Sequence, residues 1–287
     1  MKIAIYSAAV GNYDIINQPT ILDCRFDFFL FSNDPRMEDG GVWKIRKIPY
    51  HNADPIKIAR WVKTHPEDLL PGYDASVWID ANVGITDDFL YSRTIQLLKE
   101  GTPISSMWHH ERDCIYDEAA FVGFVGLEKE DILLRWLRFL LSEKYPRHNG
   151  LHETNVVFRR HDDAIALFNR FWWNYIEENS LRDQLSFDFL LWKQKLDNHY
   201  FINHSENVRN SYHFIYNPHA KKRPHPKYGP NDIAFWFHGL PGVSPTRLGS
   251  IYILLAKSGD FKWMKKLIIW YLHGRCFLAS KIIPQKR

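Results

Sequence analysis

Two polar residues end an apolar segment near residue 80 and are the first candidates for chemistry in this sequence. Val77 to Ile79 reads as a buried strand, and Asp80 and Asn82 follow it. Side chains at the C-terminal end of a central strand face the crevice in which open α/β sheets bind ligands. Their oxygens would suit a hard divalent cation, which could neutralise the phosphates of a nucleotide-sugar. The alternative is a turn capped by two short polar side chains.

A helix with a basic side is expected shortly before this strand. Asp54 and Pro55 are residue types favoured at the N-cap and first position of a helix, which we expect to run to Lys63. Lys57, Arg60 and Lys63 recur every three residues and share one side of that helix. They form either a solvated face or a contact for phosphate, and Arg60 is the first choice for such a contact.

Titratable residues are unusually dense in two further segments. Residues 109–118 read His-His-Glu-Arg-Asp-Cys-Ile-Tyr-Asp-Glu and follow the strand-like Ile104–Trp108. Their spacing matches no named zinc motif, so a metal site, an acid–base set and simple ion pairs all stay open. Glu153 and Asn155 stand where a polar loop runs into the expected strand Val156–Phe158.

Another polar segment begins a helix in the second half of the chain. We expect Ser180 to cap a helix that continues to Leu196, with Asp183 favourable in its first turn. Capping gives no reason for the presence of Arg182 and Gln184. These two residues are therefore candidates for a role beyond the helix itself.

Short strands and helical stretches alternate through the first 110 residues and define the expected fold class. The expected strands are Lys2–Ala8, Asp27–Phe31 and Trp43–Ile48. This alternation predicts an α/β fold whose sheet is covered on both faces. A nucleotide would lie across the strand ends, near Ala8 to Asn12 and residues 32–34.

Composition and charge limit the classes of protein that fit. The 287 residues, 45% of them hydrophobic, can bury a large core in one domain with or without a tail. Three widely separated cysteines match no disulfide framework, and Ile3–Tyr6 is too short an apolar run for a signal peptide or a membrane span. A cytoplasmic protein is therefore expected.

The basic charge is concentrated at the end of the chain. Residues 257–287 hold eight Lys or Arg and one acidic residue, whereas residues 1–256 hold 29 basic and 32 acidic residues. This distribution favours a local electrostatic contact and argues against general nucleic-acid binding. Aromatic and basic residues interleave in this end, which predicts a helix lying on the inner surface of an anionic membrane. Packing of that helix against the protein body is the alternative.

A segment rich in His, Lys and Pro connects the body to this basic end. One of its histidines, such as His219, could fold back as a metal ligand, and Lys221 to Arg223 could close over a phosphate. Pro224, Pro226 and Pro230 mark a boundary. We therefore expect a catalytic domain over residues 1–225 and an appendage over residues 226–287.

Four motifs in this order resemble a known family over roughly residues 1–205. The motifs are Trp78-Ile79-Asp80-Ala81-Asn82, Arg112-Asp113-Cys114-Ile115-Tyr116-Asp117-Glu118, Asn149-Gly150-Leu151-His152-Glu153 with Arg159-Arg160-His161, and Arg182-Asp183-Gln184-Leu185-Ser186-Phe187. The chain resembles the plant mucilage-related and bacterial glycosyltransferase-like family once called domain of unknown function 616. That family is similar to GT-A transferases that use nucleotide-diphospho-sugars and retain the anomeric configuration.

The resemblance implies a fold and a set of site residues. It implies a GT-A-like single nucleotide-sugar-binding domain with a mixed central sheet flanked by helices. The C-terminal helical basic appendage lies outside the resemblance and is expected from the charge and aromatic pattern alone. By this resemblance Asp80 and Asn82 fall on the metal segment, Glu153 and Asn155 on a segment beside the donor sugar, and Asp183 and Gln184 on a pair that reaches the reacting centre. Together with the residues singled out from the sequence itself, the candidates are Asp80, Asn82 and His219 for a Mn²⁺ or Mg²⁺ ion, Asp183, Gln184 and Glu153 for catalysis, and Ala8, Asn12, Arg60, Asp80, Asn155 and Arg182 for the donor. Asn82 replaces the second acid of the D-x-D metal segment, and an amide is a weaker ligand than a carboxylate.

These features predict a glycosyltransferase that moves a sugar from a nucleotide-diphospho-sugar to a glycan or lipid-linked glycan in surface polysaccharide biosynthesis. Replacing Asp183 with Asn should abolish transfer while leaving the fold and donor binding nearly intact. One alternative is a hydrolase that pairs Asp80 with Asp183 or Glu153. The other is a carbohydrate- or membrane-binding module without catalysis.

Overall fold

Two compact units make up the chain in the computed structural model. Residues 1–11, 14, 16–34, 40–197, 199–202, 206–219, 245–257 and 270 are described. The first unit contains residues 1–111 and 150–222, and the second contains residues 112–149 and 223–287. The expected boundary between residues 225 and 226 lies outside the described residues and stays a prediction.

A mixed six-stranded sheet forms the centre of the first unit. The strands of the described chain are β1 (Ile3–Ala9), β2 (Phe26–Ser32), β3 (Lys44–Lys47), β4 (Ala75–Ile79), β5 (Val83–Ile85), β6 (Ile104–Trp108), β7 (His152–Arg160) and β8 (Phe214–Tyr216). The order in the large sheet is β3-β2-β1-β4-β7-β6, and β5 pairs with β8 separately. The first four strands in that order are parallel, and β7 runs antiparallel to both its neighbours. The α/β class and the mixed sheet predicted from the sequence are confirmed.

Helices cover both faces of this sheet. Those of the first unit are α1 (Pro55–Thr64), α2 (Pro66–Leu69), α3 (Phe89–Lys99), α6 (Asp163–Glu178) and α7 (Gln184–Lys193). Because strand side chains alternate between faces, Ile5 and Val77 join a core with Tyr91 of α3. On the other face Tyr6 donates a hydrogen bond from its hydroxyl to the carbonyl of Lys63 at 2.8 Å. Arg159 Nη1 donates to the same carbonyl at 2.6 Å, so two strands fix the end of α1.

The start of α1 agrees with the prediction, but the start of α7 does not. The Asp54 carboxylate accepts a hydrogen bond from the Ile56 N–H, as expected for an N-cap. Ser180 was expected to cap the next helix, but α7 begins at Gln184. The Ser180 hydroxyl instead accepts from the Arg182 N–H at 3.1 Å in a local turn. The N-cap is Asp183, whose side chain makes no capping bond.

Three helices make up the described part of the second unit, namely α4 (Ile115–Phe124), α5 (Glu130–Ser142) and α8 (Pro245–Lys257). The apolar stripe of α5 is buried at Leu133, Trp136 and Leu137, as its spacing predicts. Arg138 Nε donates to the carbonyl of Ala256 at 2.8 Å and ties α5 to the end of α8.

The basic C-terminal end lies mostly outside the described residues. Residues 258–269 and 271–287 belong to the part of the chain that the structure leaves undescribed. In the remainder, no helix combines the length and the apolar character that crossing a bilayer requires. Contact of this end with a membrane surface stays a prediction.

Candidate active site

Asp80 lies at the C-terminal end of β4, where the sheet opens. Its backbone N–H donates to the carbonyl of Asn155 at 2.8 Å, and its carbonyl accepts from Val83 in a turn. Its Oδ1 accepts a hydrogen bond from Trp78 Nε1 at 2.6 Å, and the side chain is 30% exposed. A turn is therefore present, but backbone atoms close it and not the Asp80 carboxylate, which stays partly accessible.

Asn82 is held beside this turn by the chain that follows β8. Its Nδ2 donates to the carbonyl of Asn217 at 2.9 Å, and the Asn217 N–H donates back to the carbonyl of Asn82. The Oδ1 atom of Asn82 is buried without a hydrogen-bond partner among the described residues. A buried acceptor without a donor is costly, so this oxygen fits a ligand or a cation.

Lys63 links Asp80 to Asp183, which lie far apart in sequence. Its Nζ is 2.5 Å from Asp183 Oδ2 and 3.6 Å from Asp80 Oδ1, and its side chain is 1% exposed. It also donates to Thr154 Oγ1 at 3.1 Å. Burial lowers the pKa of the ammonium, whereas the two carboxylates act in the opposite direction. The structure therefore brings the two predicted acids together around one buried cation.

Asp183 has charged or polar partners at both carboxylate oxygens. Arg60 Nη2 lies 3.1 Å from Oδ1, and the Thr154 hydroxyl donates to Oδ2 at 2.8 Å. Burial alone would raise the pKa of this carboxyl, but the charges of Arg60 and Lys63 and the hydrogen bonds from Lys63 and Thr154 hold it well below its ordinary value. Asp183 is therefore an anion at neutral pH.

An irregularity in the pairing of β7 with β6 positions Glu153 and Asn155 near the C-terminal end of β4. Ser106 pairs with Val157, but the next residue of β6, Met107, pairs with Glu153. Three residues of β7 therefore lie opposite a single step of β6, which is a bulge of the kind found beside active sites. The strand begins at His152, so Glu153 and Asn155 lie within it, whereas the sequence placed them at the edge of a strand over Val156–Phe158.

Glu153 belongs to a neighbouring cluster. His110 Nδ1 lies 2.8 Å from Glu153 Oε1, and Arg209 Nε lies 3.3 Å from the same oxygen. Asn155 Nδ2 donates to Oε2 at 3.0 Å. Although burial raises the pKa of this carboxyl, the hydrogen bond from His110 and the charge of Arg209 lower it to about 2. These contacts join Glu153 to His110 and Arg209, and none of them involves Asp80 or Asp183.

The other predicted site residues have varied surroundings. Ala8 is half-buried near the end of β1, whereas Asn12 and Lys221 to Arg223 lie outside the described residues. Gln184 opens α7, and its Nε2 is buried without a hydrogen-bond partner among the described residues. His219 Nδ1 lies 2.9 Å from Asp14 Oδ1. Two groups of three His, Cys, Asp or Glu side chains in the described chain lie close enough together to share an ion. Neither of these groups includes Asp80 or His219.

Sequence reasoning undervalued Lys63 and did not identify Thr154. Lys63 was one of three basic residues on α1, and only its burial separates it from Lys57. In the segment 109–118, where ion pairs were one of the open alternatives, Arg112 and Glu118 form one, with Nε 2.5 Å from Oε2. His110 lies in the segment in which a metal or acid–base role was left open.

Comparisons with known proteins agree with this fold. The family model described as TOD1/MUCI70, glycosyltransferase-like domain, matches residues 1–217. A similar protein is the alkaline ceramidase TOD1 of Arabidopsis thaliana, 23% identical over 190 residues, which make up 62% of this chain and 41% of the plant protein. The chain thus spans about two fifths of the length of that relative. Because the family model covers most of the chain, the protein belongs to the TOD1/MUCI70 glycosyltransferase-like domain family.

Proposed function

We propose that this protein transfers a sugar from a nucleotide-diphospho-sugar to a hydroxyl of a glycan or lipid-linked glycan, with retention at the anomeric carbon. The observation that carries the proposal is the bridging of Asp80 and Asp183 by Lys63 Nζ at the end of the parallel strands. Open α/β sheets bind ligands at this edge. The glycosyltransferase-like family of residues 1–217 supports the same class of reaction.

The charges of the site suit the charges that develop in such a reaction. As the bond from the anomeric carbon to the diphosphate breaks, positive charge grows on the sugar and negative charge grows on the leaving group. Asp183, ionised and fixed by Lys63 and Arg60, would stabilise the sugar. The two cationic side chains would also attract the diphosphate. Gln184, whose amide nitrogen has no hydrogen-bond partner in the described part of the chain, would orient the sugar.

The donor end of the site fits a hard divalent cation with few protein ligands. Asp80 offers a partly exposed carboxylate, and Asn82 offers a buried oxygen without a hydrogen-bond partner among the described residues. Mg²⁺ in nucleotide sites is commonly held by one or two protein oxygens together with phosphate and water. When bound, Mn²⁺ or Mg²⁺ would neutralise charge on the diphosphate. In this proposal the acceptor hydroxyl loses its proton to an oxygen of the leaving phosphate while its own oxygen bonds to the anomeric carbon.

A hydrolase is the rival proposal, because the plant relative is named an alkaline ceramidase. A carboxylate pair that acts by general acid catalysis needs one member protonated near neutral pH. The pKa of Asp183 is well below its ordinary value, so Asp183 does not suit the acid role. In such a pair Asp183 could serve only as the ionised member, as base or nucleophile.

A thermal-shift screen separates the candidates. UDP-, GDP- and CMP-sugars with and without Mn²⁺ are compared with a glycan alone, and release of fatty acid from a short-chain ceramide is measured in parallel. We expect one class of nucleotide-sugar to raise the thermal midpoint of the protein. Stabilisation by glycan alone would favour a binding module, and fatty-acid release without nucleotide binding would favour a hydrolase.

The acceptor and the cellular setting extend this proposal. A lipid-linked glycan in surface polysaccharide biosynthesis would suit a protein on the inner face of the membrane, held through residues 257–287. Those residues carry eight basic side chains and one acidic one. Attraction to anionic lipid would hold the active site near such an acceptor.

A further inference from the structure

Two histidines and a glutamate come together at the end of β6. They are separate from the group formed by Lys63, Asp80 and Asp183. His109 and His110 follow β6 directly, and Glu153 lies opposite Met107 on β7. One ligand atom from each of the three side chains lies within 4.8 Å of the others. The two imidazole rings stack with centroids 5.2 Å apart and planes 13° from parallel. No step of the proposed transfer uses this pair of rings.

We propose that His109, His110 and Glu153 bind a divalent transition metal, with zinc as the best-suited ion. Two imidazole nitrogens and one carboxylate are a ligand set that zinc accepts readily. The oxygens of Asp80 and Asn82 suit harder ions instead. The zinc site therefore differs in chemistry from the donor site, and it does not rest on the proposed function.

The distances require only small side-chain movements. Zinc bonds of about 2.0–2.1 Å at tetrahedral angles put ligand atoms about 3.3–3.4 Å apart. His110 Nδ1 and Glu153 Oε1 are 2.8 Å apart, so they would separate slightly to admit the ion. His109 Nδ1 accepts a hydrogen bond from the Glu111 N–H at 3.1 Å, which places the proton of the neutral ring on Nε2. An ion bound at Nδ1 would replace this hydrogen bond, and an ion bound at Nε2 would release the proton to water. An unprotonated nitrogen is the form that binds metal.

The surroundings of Glu153 prepare the carboxylate for a metal. Asn155 Nδ2 holds the second oxygen, which is how outer hydrogen bonds commonly orient a metal-binding carboxylate. Arg209 shares Oε1 and also lies over the Tyr216 ring at 4.3 Å, so its guanidinium keeps one partner when an ion takes that oxygen.

The cluster is open on the side of His110. This side chain is 33% exposed, and its Nε2 lies 3.6 Å from Glu111 Oε1. An ion could therefore enter from solvent past His110. Three protein ligands leave a further coordination position for water, as in catalytic zinc sites and unlike four-ligand structural ones.

Zinc titration of the full chain by calorimetry, with Co²⁺ absorption as a second readout, tests this site. We expect one ion per chain and a loss of zinc affinity of more than about tenfold in His110→Ala, because a direct ligand matters at least as much as an outer hydrogen bond. His51→Ala is the matched control, since His51 is an exposed histidine of the same unit. This control should bind zinc as the unmodified protein does.

Two further variants identify the site if zinc binds elsewhere. Cys114, Asp117 and His148 form another group with metal-binding atoms in the second unit, and His148→Ala removes one of them. Asp80→Asn tests the donor site. The proposal is overturned if the full chain takes up no zinc, or if His110→Ala binds zinc as tightly as the unmodified protein; loss of zinc in His148→Ala or Asp80→Asn would then locate the ion elsewhere. Equal thermal midpoints of the metal-free variants exclude misfolding as the cause, and His109→Ala replaces His110→Ala if the latter does not fold.

Discussion

Lys63 and Asp183 form a buried ion pair at the centre of the candidate site. Their exposed side-chain fractions are 1% and 6%, and their charged atoms are 2.5 Å apart. The motif that contains Asp183 predicted a functional role for this residue. The spacing of the basic residues, in contrast, placed Lys63 with Lys57 and Arg60 on one basic side of the helix. The packing of α1 against β1 and β7 contributes to the burial of Lys63, and such non-local packing leaves no signal in local spacing.

This ion pair changes the outcome expected of Asp183→Asn. The sequence alone suggested an intact fold, but the variant would leave the Lys63 charge buried without its nearest carboxylate. We expect a loss of about 3–5 kcal/mol in the free energy of unfolding, measured by urea denaturation. The double variant Lys63→Met with Asp183→Asn should lose less than the two single variants combined. Additive losses would mean that the pair is not coupled.

Glu153 should make stability depend on pH. Its folded pKa is about 2, against 4.5 for an ordinary glutamate, so its contribution is complete above pH 4.5 and is lost as the pH falls towards 2. The full contribution is about 3 kcal/mol. Urea unfolding between pH 7 and 3 should therefore show a shallower pH dependence in Glu153→Gln than in the unmodified protein. Glu178→Gln, at an exposed residue, should keep the original slope, and identical slopes in all three proteins would refute this assignment.

Helix α1 and the bulge of β7 position the site at the scale of secondary structure. The sequence predicted α1 to within one residue, because Asp54 and Pro55 are strong local signals. It did not predict the bulge or the start of α7. The bulge was missed because it arises from the register between two strands. The start of α7 was missed because the Asp183 carboxylate binds Lys63 and Arg60 and does not cap the helix. Both features depend on partners distant in sequence.

The cap of α1 can be tested by itself. Asp54→Ala removes the acceptor for the Ile56 N–H, which lies 2.8 Å from Oδ1, and should lower the free energy of unfolding by about 1 kcal/mol. Asp88 is also an N-cap, at α3, but makes no side-chain capping bond, so Asp88→Ala should change stability by less than about 0.5 kcal/mol. Urea denaturation of both variants measures the difference. Equal losses would show that the hydrogen bond of Asp54 contributes nothing.

At the scale of the whole molecule, the sequence predicted the fold class better than the strand order. Alternating strands and helices led to an α/β sheet covered on both faces, which the structure confirms. The insertion of antiparallel β7 between β4 and β6 could not be predicted, because β7 follows β4 by more than 70 residues. This insertion places Thr154 beside Lys63 and Asp183, so the topology completes the site that the motifs only outlined.

The central claim is that Asp80, Arg60 and Asp183 surround a nucleotide-diphospho-sugar. The most direct test is equilibrium binding of the donor found in the thermal-shift screen, with and without Mn²⁺, to the unmodified protein and three variants. Arg60→Ala should weaken donor binding by about tenfold or more, because a charged hydrogen bond contributes about 1.5–3 kcal/mol. Asp80→Asn should reduce the effect of Mn²⁺, and Lys57→Ala, on the same helix, should bind the donor normally. Unchanged donor affinity in both Arg60→Ala and Asp80→Asn would contradict the account.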